Sequence, residues 1–297
     1  MNKPIYKLLD WIDINKIEWK YLSLNKNHNS IELLKENPDK IDWNNLSLNE
    51  NAIELLKENP DKINWDNLSQ NLNAIELLEI NQDKINWSLL SLNHNAIELL
   101  KNNQDKDIWY FLSKNKNAIS ILKENKDKID WEWLSLNKNA IELLENNIDK
   151  INWDFLSLNR NAIHILEKNK NKINWELLSL NPNAISILKE NPDKIDWNNL
   201  SANENAIDLL KENPDKINWK YLSLNKNQNL LELLKENPDK IDWIYLSLNK
   251  YIFKLDYEKM RKNFEDLEEE ILKEVLKPRR IKRNLELYGY DIEDMYD

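Results

Sequence analysis

Three kinds of residue in this chain recur at spacings that could carry chemistry. A serine returns in every copy of an internal repeat, at 47, 69, 91, 113 and onward, and serine becomes a nucleophile when a base stands beside it. No base keeps a fixed distance from it, so backbone hydrogen bonding between the two helices of a repeat explains its recurrence better. An Asp-Lys pair also returns, as Asp61-Lys62 and Asp83-Lys84. It could pass a proton, but the expected role is a solvated loop pair. The three histidines, His28, His94 and His164, fall at different repeat positions, so a shared metal site is not expected. One glycine in 297 residues leaves no glycine loop to cradle a phosphate. The absence of cysteine excludes disulfides and thiolate metal sites. No catalytic, cofactor-binding or metal-ligating residue is assigned, and the chain is not expected to be an enzyme or to need a cofactor.

Charge and hydropathy narrow the partners. Acids outnumber bases 52 to 42, a formal charge of −10, which disfavours broad attachment to nucleic acid or anionic lipid. No apolar run approaches the roughly 18 residues of a membrane span, and the start MNKPIYKLLDW lacks the apolar core of a secretory signal. The expectation is an intracellular soluble protein whose partner is another protein, without membrane contact.

A residue present in every repeat is explained by the framework, so binding information lies where the repeats differ. Two residues after each repeat tryptophan the chain reads Tyr21, Asn45, Asn67, Leu89, Phe111, Trp133, Phe155, Leu177, Asn199, Tyr221 and Tyr245. On a helix this position is rotated about 200° from the tryptophan. Leu89, Phe111, Trp133, Phe155 and Leu177 are therefore candidates for an apolar protein-binding ridge; the other reading is that they pack against the second helix of the next repeat. Seven residues after the tryptophan stand Glu50, Leu72, His94, Lys116, Lys138, Arg160, Pro182 and Glu204. Lys116, Lys138 and Arg160 coincide with the aromatic repeats, a combination that suits single-stranded nucleic acid or is a solvated position drifting freely. The run Lys277–Arg283 resembles a nuclear-import or phosphate-binding cluster, which leaves a nuclear location open, although a surface role at a helix start is favoured.

The elements that carry these residues follow from the repeat. Tryptophans stand at 19, 43, 65, 87, 109, 131, 153, 175, 197, 219 and 243, 22 residues apart except for 24 in the first and last intervals. In the unit from Asp42 to Ile63, Asp42 is the expected N-cap of a first helix carrying Trp43 and Leu46 on one face. Asn51 and Glu54 suggest a capping box for a second helix bearing Ala52, Ile53, Leu55 and Leu56. Asn59, followed by Pro60, is expected to end that helix in the left-handed conformation usually given to glycine. One unit is too short to bury a core alone, so the repeats must stack. The predicted fold is an all-α solenoid of about ten two-helix repeats of 22–24 residues, a curved rod of roughly 90–100 Å given ordinary helix spacing. Residues 1–18 read as a partial repeat or cap, with Leu8 and Leu9 over the first interface, and 19–250 as the repeat array. Residues 251–297 read as a helical capping subdomain: Asp256 caps a helix from Tyr257 to about Leu276 bearing Phe264, Leu267, Ile271 and Val275. Pro278 then opens a second helix, Arg279 to Tyr288, before Gly289. The order Asp107-Ile108 reverses the usual Ile-Asp/Asn, so the cap there is expected to differ.

The repeat IDWNNLSLNENAIELLKENPDK at 41–62, together with LDYEKM at 255–260 and KPRRIKRNLELYGYDIED at 277–294, resembles tandem-repeat proteins of giant amoeba-infecting DNA viruses. The resemblance covers nearly the whole chain. It implies a viral protein in the host cytoplasm or the virion, and no chemistry. A non-catalytic interaction scaffold is the leading expectation; single-stranded nucleic-acid binding and a self-associating structural component are the alternatives.

Overall fold

The computed structural model describes residues 5–104, 107–277 and 279–280. The fold is all-α, built from short two-helix repeats, apart from one pair of three-residue strands. In the repeat of Trp43 the first helix is Trp43–Ser47, the second Ile53–Lys57, and a 3-10 turn, Pro60–Lys62, leads onward. Eleven first helices follow one another, from Trp19–Leu22 to Trp243–Leu248, rather than about ten. Numbered by their tryptophans, Trp19 belongs to repeat 1 and Trp243 to repeat 11.

Asp42 caps its helix as its sequence position predicts, its carboxylate accepting from the Asn45 amide at 2.8 Å. The second helix departs from expectation at both ends. Its cap residue is Ala52, which makes no side-chain bond. Asn51 instead donates its amide to the Lys26 carbonyl of the preceding repeat at 3.0 Å, and Glu54 pairs with Lys57 at 3.0 Å rather than closing a capping box. Asn59 has φ −134°, outside the left-handed region. Its Nδ2 donates to the Leu55 carbonyl at 2.9 Å, covering one of the carbonyls that a helix end leaves free. Helices ended in this way need no glycine. At Asp107-Ile108 the cap does change: Ile108 occupies the cap position without a side-chain bond and is fully buried.

Leu46, Ala52 and Leu56 are fully buried within each unit, and two polar residues join the units. Ser47 Oγ donates to the Trp43 carbonyl at 2.8 Å and accepts from the Asn64 amide of the next repeat at 3.0 Å. The serine thus links successive repeats, not the two helices of one repeat. Asn49 donates to the Ser23 and Asn25 carbonyls of the preceding repeat at 3.0 and 2.9 Å and accepts from the Asn51 amide at 3.0 Å. An asparagine stands at this position in all eleven repeats, no more than 3% exposed. A buried amide with both ends engaged is what such burial demands. The Asp-Lys lysine is not simply solvated either. Lys62 lies 4.6 Å from the centre of the Trp43 ring, and the stacking recurs at Lys40 on Trp19, Lys150 on Trp131 and Lys240 on Trp219, a cation–π contact that ties the closing turn of each repeat to its own first helix.

Most consecutive first helices pack directly on one another, whereas no pair of second helices packs as closely. The first helices therefore lie on the concave side. Within residues 10–252 this curvature closes: helix Trp19–Leu22 packs on Trp243–Leu248, and the same rungs cross the seam. The Glu18 amide donates to Ser247 Oγ at 2.9 Å. Asn25 Nδ2 donates to the Ser247 and Asn249 carbonyls at 2.8 and 3.1 Å, and Asn27 Nδ2 to the Lys250 carbonyl at 2.6 Å. Lys16 lies 5.2 Å over the Trp243 ring. Lys16, Ile17 and Glu18 stand before Trp19 as Lys40, Ile41 and Asp42 stand before Trp43. The predicted open rod is thus a closed ring of eleven repeats. An open array would leave buried carbonyls unpaired at an end; closure satisfies them.

Residues Met1–Leu9 and Phe253–Asp297 make a separate compact unit. There β1, Tyr6–Leu8, runs antiparallel to β2, Phe253–Leu255, with Lys7 opposite Lys254. Leu8 belongs to this ladder, and the first interface that it was expected to cover is closed by repeat 11. Asp256 caps the helix Tyr257–Val275 by accepting from the Lys259 amide at 3.1 Å. Ile271 is half exposed, at 52%. The side chains of Phe264, Leu267 and Val275, together with Pro278 and Gly289, lie outside the described residues, as does the expected helix beyond Arg280.

Candidate functional site

Two features single out the middle of the ring, and both depart from the repeat average. The first is aromatic. Leu89, Phe111, Trp133, Phe155 and Leu177 all lie half-buried on the first helices of repeats 4–8. The Phe111 and Trp133 rings meet at 5.7 Å, as do Trp133 and Phe155. The run is therefore a row of rings packed on one another across repeats, not a free ridge. Tyr110 adds to it from the neighbouring helix position, 4.8 Å from Phe111 and 5.2 Å from Trp133, while remaining 47% exposed.

The framework does not require aromatics there. Where the position is asparagine, its amide donates to the preceding repeat: Asn45 to the Lys20 carbonyl at 2.9 Å, Asn67 to Asn44 at 2.8 Å and Asn199 to Glu176 at 3.0 Å. Trp133, by contrast, carries a buried Nε1 with no hydrogen-bond partner, an arrangement that costs about 1–3 kcal/mol.

The second feature is basic. Lys116, Lys138 and Arg160 converge with His94 and Lys114 on a cavity of about 500 Å³ also lined by Leu92, Leu136 and Leu158. Four successive repeats contribute, each from the segment at or just after the end of its first helix. Arg160 spans two repeats to reach Glu204 at 2.8 Å. Lys114 lies 4.8 Å over the Trp133 ring and so ties the cavity to the aromatic row. His94 Nδ1 is 3.1 Å from Asn115 Oδ1. Asn115 commits its Nδ2 to the Ser91 and Asn93 carbonyls, so its oxygen must accept, and His94 carries a proton on Nδ1. Burial, followed by Lys116, Lys138 and Lys114, holds His94 below its ordinary pKa against the opposing bond to Asn115. Burial alone lowers that of Lys114.

Spacing pointed to Lys116, Lys138 and Arg160 but passed over Lys114 and Tyr110. The signal for Lys114 was present: its position, five after the tryptophan, is leucine in eight repeats. His94 is part of this cluster, while His28 and His164 are elsewhere, His164 pairing with Glu145 at 2.9 Å. In the C-terminal basic run, Lys277 and Arg280 both pair with Glu274. Among the described residues no group of three or more His, Asp or Glu could hold a metal ion, and no helix is long and apolar enough to cross a membrane.

Comparison with protein-family models, curated proteins and solved structures gives no match.

Proposed function

We propose that this chain is a non-catalytic interaction ring of viral origin that holds a protein partner, host or viral, through the aromatic row of repeats 4–8. The observation that carries this reading is the contrast at one repeat position. Asparagine satisfies the backbone of the preceding repeat there, yet repeats 5–7 carry Phe111, Trp133 and Phe155, with the Trp133 N–H unpaired. These rings pack on one another, and exposed Tyr110 beside the row offers the kind of aromatic anchor that protein interfaces favour. The likeness of the repeat and tail to giant-virus proteins supports the origin.

Single-stranded nucleic acid, the second reading, draws on Lys116, Lys138 and Arg160. These groups gather at one bounded cavity, whereas a strand binder lays its cations along a groove. Self-association through chain ends has less to work with, because repeats 1 and 11 already occupy each other.

The test is affinity capture from infected-cell lysate, with and without nuclease, using wild type beside Tyr110→Ser. Tyr110 is the appropriate position because Trp133 and Phe155 are packed rings whose removal would open holes. A nuclease-resistant protein partner retained by wild type and lost from Tyr110→Ser, at equal melting temperature, is the expected result. Identical partners on both baits would remove the aromatic row from the account, and capture abolished by nuclease would favour the nucleic-acid reading.

A further inference from the structure

We propose that the cavity of repeats 4–7 is a binding site for a compact polyphosphate, held by Lys114, Lys116 and Lys138 with Arg160 and His94 at its margins. The site is independent of the protein partner considered above.

The first argument is charge balance. This is an acidic chain of formal charge −10, and its other lysines and arginines are repeatedly given counterparts. Lys35, Lys57, Lys101 and Lys235 each pair with a glutamate three residues earlier, and the Asp-Lys lysines lie on tryptophan rings. At the position of Lys116 and Lys138 themselves, Lys26 pairs with Glu50 at 2.7 Å and Arg160 with Glu204 at 2.8 Å. Among the described residues Lys114, Lys116 and Lys138 are in no ion pair; Lys114 has only the Trp133 ring, and no carboxylate lines the cavity they share. Self-repulsion among three cations beside a partly buried imidazole is relieved by an anion of several charges in a small volume.

The second argument is the identity of residue 114. Its position is leucine in eight repeats, glutamine at 70 and alanine at 202, and a cation only here. Burial weakens its protonated form, so the substitution works against the framework and towards the cavity.

The third is geometry. A cavity of about 500 Å³ falls within the range of small-molecule sites, about 300–1,000 Å³. Its cations without an ion pair are ammonium groups from two adjacent repeats, Lys114 and Lys116 from repeat 5 and Lys138 from repeat 6, suited to the many oxygens of linked phosphoryl groups. The one guanidinium, which would favour a planar carboxylate, already engages Glu204. A single carboxylate would neutralise one lysine of three.

The experiment is titration calorimetry of the full chain with inorganic tripolyphosphate at fixed ionic strength. Hexaglutamate and a short single-stranded oligonucleotide serve as competing probes. We expect one saturable site, a melting temperature raised by tripolyphosphate, and affinity at least tenfold weaker in Lys116→Ala/Lys138→Ala. The control Lys189→Ala/Lys211→Ala, which removes the same charge from exposed second helices, should bind as wild type does. If the first double variant does not fold, Lys114→Leu takes its place, since it installs the residue of eight other repeats. The proposal is overturned by the absence of saturable binding, by equal weakening in the control, or by tighter binding of hexaglutamate or the oligonucleotide than of tripolyphosphate. Partner capture by Tyr110→Ser reads the aromatic row separately, so either reading can fail without the other.

Discussion

The backbone amide of Glu18 donates to the hydroxyl of Ser247 at 2.9 Å, joining residues 229 apart in sequence by the same bond that joins Asn64 to Ser47 between adjacent repeats. The seam of the ring is thus chemically an ordinary repeat junction, and the consequences can be measured.

In a closed ring no repeat is terminal. Asn25→Ala removes two donated bonds and leaves the buried Ser247 and Asn249 carbonyls short, as Asn137→Ala does for Ser113 and Asn115 in mid-array. At about 1–3 kcal/mol for each buried group left unpaired, both should cost about 2–6 kcal/mol. Urea denaturation of the two variants checks this. A near-neutral Asn25→Ala beside a costly Asn137→Ala would describe an open array.

The helix-ending asparagine gives a second contrast. Because Asn59 is not left-handed and uses its side chain on the Leu55 carbonyl, Asn59→Gly should destabilise by about 1 kcal/mol through the lost bond and added chain entropy. A left-handed cap would instead make glycine neutral or better. The shift in thermal midpoint distinguishes the two.

Repeat 5 lacks the first-helix cap that its neighbours have. Exchanging the pair, with Asp107→Ile and Ile108→Asn together, restores the order seen at Ile63-Asn64. It should recover the cap bond, for a gain of about 1 kcal/mol. A lower urea midpoint would mean that the full burial of Ile108 outweighs the missing cap.

The His94 proton couples folding to pH with a definite sign. Burial, followed by Lys116, Lys138 and Lys114, makes the folded state bind this proton less readily than the unfolded chain, and the Asn115 bond only partly opposes this. The stability contributed is present above the unfolded value of about 6.5 and is lost as pH falls through it towards the lower folded value. Between about pH 7.5 and pH 5, wild type should lose more stability than His94→Gln. Equal losses would show that this imidazole does not contribute. Tripolyphosphate in the cavity reverses the preference, so its binding should strengthen as pH falls.

Much of this protein is legible in its chain. The 22-residue spacing, the Asp42-type cap and the alternation of Leu46, Ala52 and Leu56 with polar residues determine two short helices and the need to stack them, because those are local and nearest-neighbour effects. The recurring Asn49 was visible as a constant but not interpretable: its bonds go to carbonyls 24 and 26 residues earlier, and a repeat pattern does not say which backbone groups meet.

Closure was decided by the tertiary structure alone. Whether repeat 1 meets repeat 11 depends on a small rotation at each junction accumulated over eleven of them, a quantity that no single unit encodes in its residue types. The stacking of repeats also made the site. Lys114, Lys116, Lys138 and Arg160 lie up to 46 positions apart in sequence and converge only because three successive repeats stack around one cavity.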